Sequence, residues 1–197
     1  GKTEVYMEII SKVLENGRDA ILLLPEISLT PQIVKRFKNR FHDNIAVLHS
    51  GLSDGERYDE YRKIVNGHIR IVIGARSAVF APLKHLGVII IDECHSSSYR
   101  QDNMPKYDAL TIASIRGEYH NIPVVLGSAT PTVSLYARAL RGIYTLLNLD
   151  KRIGNSSLPK INIVDMNYAK RVSKTNFSYE LVSKIEEKLK LKEQIIL

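Results

Sequence analysis

The stretch Ile89-Ile90-Ile91-Asp92-Glu93-Cys94-His95 decides the fold, because an apolar run ends abruptly in two adjacent acids and a histidine. Residues Val88 to Ile91 are β-branched with no polar alternation, the pattern of a central parallel strand covered on both faces. Open α/β sheets bind ligands just beyond the carboxyl ends of their strands, so Asp92 and Glu93 fall where a magnesium-bound phosphate would sit. An ordinary strand exit also often carries Asp. Features elsewhere in the chain have to decide between the two readings.

The first of these is Gly1-Lys2-Thr3, which opens a segment with apolar residues at Val5, Ile9 and Val13 and again at Ile10 and Leu14. That spacing predicts a helix over Glu4 to Asn16 with one apolar face. A Gly-Lys-Thr at a helix start matches the end of a phosphate-binding loop, where Lys reaches the β- and γ-phosphates and the Thr hydroxyl holds magnesium. The loop's earlier glycines do not precede Gly1, and the chain opens without Met, so a longer parent protein is expected. The tripeptide is weak evidence by itself. Joined to Asp-Glu-x-His about ninety positions later it becomes strong, because phosphoryl transfer needs both a phosphate cradle and a metal-binding acid.

Composition sets the limits around this pair. A chain of 197 residues, 44% hydrophobic and 25% charged, can bury one sizeable core and a fragment of a second domain. No apolar run approaches the roughly twenty residues of a membrane span, so no membrane partner is expected. The single cysteine, Cys94, excludes an internal disulfide and a multi-cysteine metal site within these residues, and favours a reducing cytoplasm. A formal charge of +7 suits a polyanion partner, nucleic acid above all, although many basic proteins bind none.

Strand-like and helix-like runs alternate along the chain. Strands are expected at Ala20–Leu24, Ile45–Leu48, Ile69–Ile73, Val88–Ile91 and Val124–Leu126. Thr30-Pro31 reads as an N-cap followed by proline at the first helical position, with Ile33, Phe37 and Phe41 as the apolar stripe. Ser53-Asp54-Gly55-Glu56 has capping-box spacing ahead of Tyr58, Tyr61 and Val65, and Gly67 closes that helix. Helices are also expected over Tyr107–Arg116, Thr132–Leu140 and Phe177–Leu191. The alternation predicts an α/β fold with a mostly parallel sheet flanked by helices. Beyond Gly142 the pattern loosens into a linker over 150–160, a strand over Ile161–Asp165, an exposed polar and basic connection over Asn167–Asn176, and a last strand over Gln194–Leu197.

Six segments occur in order and carry a family resemblance: Gly1-Lys2-Thr3, Pro25 to Gln32, Leu48 to Ser53, Gly74 to Pro82, Asp92-Glu93-Cys94-His95, and Gly127-Ser128-Ala129-Thr130-Pro131. Together they resemble superfamily 2 helicases of the DExH type. With Ser97-Ser98-Tyr99-Arg100-Gln101 after the acid pair, they look specifically like the bacterial replication-restart DNA helicases, over nearly the whole chain. The resemblance implies a RecA-like P-loop lobe over 1–165, with 166–197 as linker and the opening of a second lobe. It implies ATP and Mg2+ as cofactors, 3′ to 5′ movement on single-stranded and forked DNA, and primosome proteins and single-stranded-DNA-binding protein as partners in the bacterial cytoplasm and nucleoid. Zn2+ and the arginine finger would belong to the parent protein outside this fragment, which is expected to hydrolyse almost no ATP alone.

Residue by residue, the resemblance gives Gly1, Lys2 and Thr3 to the nucleotide, with Thr3 on magnesium. Asp92 would hold magnesium through water, Glu93 would activate the attacking water, and His95 would link the nucleotide to Gly127, Ser128, Ala129 and Thr130, the coupling segment. Without the acid motif, Ser128 and Thr130 would read as a turn or N-cap. Thr30, Gln32, Arg76 and Ser77 become candidate DNA-phosphate contacts, and Tyr99 and Arg100 candidate contacts from an aromatic-rich loop. Arg76 could equally be a surface ion-pair partner, and Lys35, Arg36, Lys38 and Arg40 read mostly as a solvated helix face. The chain departs from the family at Cys94, where relatives carry Glu, and in a loop with Met104-Pro105-Lys106 where more aromatic character is usual. Cys94 is expected to pack, with no catalytic part. Other readings are a different superfamily 2 translocase, RecG-like or restriction-associated, a scaffold that has lost hydrolysis, or a metabolic P-loop ATPase. Intact Lys2, Thr3, Asp92 and Glu93 weigh against the scaffold.

Overall fold

The computed structural model describes residues 1–149, 160–169 and 175–197. In chain order the first elements are α1 (Lys2–Glu15), β1 (Asp19–Leu23), α2 (Pro31–Phe41), β2 (Ile45–Leu48), α3 (Asp54–Val65), β3 (Ile71–Gly74) and β4 (Leu86–Ile91). They are followed by β5 (Arg100–Gln101), β6 (Tyr107–Asp108), α4 (Ala109–His120), β7 (Val124–Leu126), α5 (Val133–Leu140) and α6 (Tyr179–Lys190). The chain divides into two compact units, Gly1–Arg152 and Ile153–Leu197.

The first unit is built on a five-stranded sheet of order β2-β3-β1-β4-β7 in which every pairing is parallel. Side chains alternate across each strand, so one continuous apolar run serves two cores. Ile21, Leu23, Val72, Ile89 and Ile91 meet Ile64 of α3 and Ala109 and Ala113 of α4. Ala20, Leu22, Ile71, Ile73, Val88 and Ile90 meet Tyr6, Met7 and Ile10 of α1 and Phe37 of α2. This is the helix-flanked parallel sheet of a RecA-like P-loop fold.

Register fixes where the strands stop. Leu48 pairs with Gly74, Gly74 with Leu23, Leu23 with Ile91, and Ile91 with Leu126. The residues that follow each of these therefore emerge along one rim. Gly74 lies in the tightest part of it: a Cβ there would stand 2.4 Å from the Leu48 carbonyl oxygen and 2.7 Å from the Ala78 Cβ. At the opposite end Asp19, buried to 5% exposure, ties three segments together. Its carboxylate accepts from Arg70 Nε at 3.1 Å and from the His85 amide at 3.1 Å.

Local signals set most boundaries. Thr30 Oγ1 accepts the Ile33 amide ahead of Pro31, and Ser53 and Glu56 form a reciprocal capping box. Gly67 follows α3 with φ +77°. Four expectations need correction. The helix over Tyr107–Arg116 starts later, at Ala109, because Asp108 caps the Thr111 amide and Tyr107–Asp108 pairs with Arg100–Gln101. In α3 the tyrosines Tyr58 and Tyr61 are exposed, and Ile64 supplies the buried contact. The segments Ile161–Asp165 and Gln194–Leu197 are not strands: they have no partner strand among the described residues, and Ile161, Ile163, Ile196 and Leu197 are exposed. The linker over 150–160 falls almost entirely outside the described residues, as does the middle of the connection over 167–176. In the second unit, Ser178 caps α6 by accepting the Leu181 amide at 3.1 Å.

Replacing Gly74 by Ala should destabilise the first unit by about 1–3 kcal/mol, since the nearest obstacle is backbone that cannot turn aside. Urea unfolding would show this as a lower midpoint with an unchanged slope.

Candidate active site

At the rim, the amino end of α1 meets the carboxyl end of β4. Lys2 Nζ donates to Glu93 Oε1 at 2.6 Å and lies 3.3 Å from Asp92 Oδ1. Burial by itself would lower the Lys2 pKa, but hydrogen bonding and attraction from the two carboxylates outweigh it and raise the value. The strand ends sharply: Glu93 takes φ +45°, uncommon for a residue with a side chain. That turn lets Cys94 pass back into the core, buried among apolar neighbours that push its thiol pKa up, while Glu93 and His95 stay at the surface side. Cys94 packs, as its place in the pattern predicts. Its amide donates to the Gly127 carbonyl at 3.0 Å, and the Gly127 amide donates to Ile91 at 2.8 Å, so β7 delivers Gly127 beside the acid pair.

Asp92 is held from two directions by tyrosines. Tyr6 of α1 donates its hydroxyl to Asp92 Oδ1 at 2.8 Å. Tyr99 sends its hydroxyl to the Asp92 carbonyl at 2.6 Å and approaches the Leu23 carbonyl at 3.2 Å. One proton cannot serve both acceptors fully, so the shorter contact takes the larger share. Burial, followed by the neighbouring acids, raises the pKa of both phenols and keeps them as donors. Tyr99 is therefore no stacking platform for bases: it is 1% exposed and clamps the ends of β1 and β4 together. Tyr6 was not singled out by sequence reasoning, although a residue four positions after Lys2 lies on the same helix face.

The remaining candidates divide into two groups. His95 Nδ1 lies 2.8 Å from Ser128 Oγ and 3.5 Å from Glu93 Oε2, and Ser128 Oγ accepts the Thr130 amide at 3.0 Å. Ala129 and Thr130 are exposed. His95, Ser128 and Thr130 form one connected cluster with Lys2, Asp92 and Glu93. Thr30, Gln32, Arg76, Ser77 and Arg100 stand apart from it. Thr30 is engaged as an N-cap, Gln32 and Ser77 are exposed, and Arg76 Nη1 donates to the Arg100 carbonyl at 3.0 Å. Arg116 was also missed: from α4 it donates to the carbonyls of Val79 and, at 3.1 Å, Ala81, holding the turn that carries Arg76 and Ser77. Burial lowers its pKa.

Two hard oxygen donors belong to the elements that meet at this point: Asp92 follows β4 and lies against Lys2, and the half-buried Thr3 is the next residue of α1. Magnesium keeps several waters and takes one or two protein oxygens together with substrate phosphates, and this donor set fits such a demand. The Lys2 ammonium already lies between the two carboxylates, which marks the spot as one that accepts positive charge.

A helix start bearing a lysine, set against an acid pair that ends a central parallel strand and a histidine tied to the next strand's exit, defines a helicase-type nucleotide lobe. Residues 1–138 match the family model for the DEAD/DEAH box helicases, and the chain belongs to that family. Within it, the whole of this chain is similar to part of a particular protein. It is 54% identical to "Replication restart protein PriA" of Bacillus subtilis (strain 168), covering 100% of this chain and 25% of that protein. Proteins of the same name from Chlamydia pneumoniae and from Synechocystis are 43% and 44% identical, with 100% and 98% of this chain covered. The chain spans about a quarter of the length of these relatives, 24–27%. Among solved structures, "S. cerevisiae Dbp5 bound to RNA and ADP BeF3" aligns with TM-score 0.51 and 16% identity over 75% of this chain and 37% of that one, a likeness of fold.

Tyr99→Phe keeps the ring packing and takes the hydroxyl donor from the Asp92 carbonyl, while the Leu23 carbonyl still accepts the Asp92 amide at 3.0 Å. It should cost about 1–3 kcal/mol in chemical denaturation. An unchanged midpoint would mean that water replaces the hydroxyl.

Proposed function

We propose that this chain is the first ATP-binding lobe of a DNA helicase that acts, as its PriA relatives' name indicates, in replication restart. The observation that carries the reading is the Lys2 ammonium set between Asp92 and Glu93, with His95 bonded to Ser128 on the adjoining strand exit. Gly1, Lys2 and Thr3 would receive the phosphates of ATP. Asp92 and Thr3 would hold Mg2+, which when bound neutralises charge on the phosphates. Glu93 would take the proton of the attacking water. Glu93 Oε1 accepts from Lys2, so the lysine that would meet the phosphates and the base that would take the proton are in direct contact.

His95 and Ser128 would pass the state of the acid pair to the Gly127–Thr130 segment. Thr30, Gln32, Arg76, Ser77 and Arg100 would meet the phosphates of single-stranded or forked DNA at the same rim, without reading sequence. The first lobe would run to about residue 165, with the second opening beyond it. Primosome proteins and single-stranded-DNA-binding protein would be partners of the whole protein in the bacterial cytoplasm, and any Zn2+ would lie outside this chain.

ATP hydrolysis by the full-length protein, with and without single-stranded and forked DNA, tests the reading. Lys2→Ala and Glu93→Gln should each reduce DNA-stimulated turnover at least about a hundredfold. Turnover indifferent to DNA would reassign the lobe to another class of P-loop ATPase, and tight DNA binding without turnover would make it a scaffold. Cys94→Ala, by contrast, should leave turnover within a few fold. A hundredfold loss would give the thiol a part that its packing does not suggest.

A further inference from the structure

Gly127 has no conformational need to be glycine, since its φ is not among the positive values of the chain. The need is spatial. A Cβ at this position would stand 1.7 Å from the Tyr6 hydroxyl oxygen, 2.8 Å from Cζ and 3.3 Å from Cε1. The Tyr6 ring, only 3% exposed, is thus wedged between the Gly127 backbone and the Asp92 carboxylate it donates to. Any movement of the Gly127–Thr130 segment toward α1 must displace the phenol, and displacing the phenol takes the donor from Asp92 Oδ1. That same oxygen is the one 3.3 Å from Lys2 Nζ.

We infer that Tyr6 is a positioning residue which aims the Asp92 carboxylate at its metal and makes that aim depend on where Gly127 lies. The inference rests on the function proposed above for Asp92. It adds a second link between the coupling segment and the nucleotide site, through α1, independent of the His95–Ser128 contact. A hydroxyl donating to a carboxylate leaves the acceptor's orientation fixed and one oxygen partly saturated. Phenylalanine at the same place would fill the wedge and let the carboxylate rotate.

The test uses the full-length protein with Tyr6→Phe, Gly127→Ala and the pair combined, each checked for folding by its melting temperature. A fluorescent ADP analogue is titrated with magnesium and in excess EDTA, and hydrolysis is followed against magnesium concentration. Tyr6→Phe should weaken nucleotide binding in magnesium about tenfold and raise the magnesium needed for half-maximal hydrolysis similarly, the loss of one charge-assisted hydrogen bond. Binding in EDTA should stay within about twofold, because the phosphate cradle is untouched. Gly127→Ala should reproduce the magnesium defect and lower the melting temperature, and the melting loss should be clearly smaller when Phe replaces Tyr6. An unsubstituted protein without DNA-stimulated hydrolysis would sink the proposed function, while the binding and melting measurements would still decide the role of Tyr6. Wild-type magnesium dependence in Tyr6→Phe, or an equal melting loss from Gly127→Ala in both backgrounds, would overturn the inference.

Discussion

Parallel pairing of Asp19–Leu23 with Leu86–Ile91, buried on both faces, is the constraint on which everything functional here depends. Parallel strands need crossovers, crossovers of this length become helices, and the helices cover both faces so that the sheet can discard polar alternation. Because all five strands run the same way, their exits share a rim. The six segments that resemble helicase motifs are scattered over 130 positions of sequence yet return to that rim or to the helix beside it. The catalytic candidates are adjacent because of register, before any contact among them is considered.

What register brings together, charge has to make tolerable. Two carboxylates on consecutive residues at a strand end repel, and burial sharpens the repulsion. Lys2 answers with one ammonium shared between them, and Tyr6 and Tyr99 add neutral donors to the side chain and the main chain of Asp92. The amino end of α1 contributes the favourable end of its dipole on the same side. Together these groups hold the acid pair in place.

The sequence made the strands legible because residues buried on both faces read as plain β-branched runs, and made two helix starts legible because Thr30-Pro31 and Ser53 with Glu56 cap in fixed patterns. It was less informative where an apolar residue had two possible fates. Tyr99 follows an acid motif and is aromatic, so it suits base stacking, but an aromatic with a hydroxyl also suits a core position that must bridge two carbonyls, and only three-dimensional proximity to Leu23 distinguishes them. Tyr58 and Tyr61 fit a helical stripe whose burial falls to Ile64. Ile161 and Ile163 alternate like a strand, but alternation carries no information about whether a partner is present. Tyr6 and Arg116 were invisible for a related reason: each acts on a segment far away in sequence, and neither belongs to a motif.

The distribution of charge follows the same logic of pairing. Part of the basic run on α2 is answered within the fold: Arg36 pairs with Glu4, and Arg40 with Glu8 at 2.8 Å. Arg70 is likewise given to Asp19, and Arg116 to backbone carbonyls. The ion pairs among these cancel locally and leave the net charge of +7 unchanged. Far from the surface, beyond about one Debye length of ~8 Å, a polyanion responds to what little of the net field survives screening. Within that distance it responds to individual groups. The basic helix face, read from the sequence as mostly solvated, is partly spent on ion pairs between α2 and α1. The contacts proposed for a strand are instead rim residues such as Gln32 and Ser77, which are exposed.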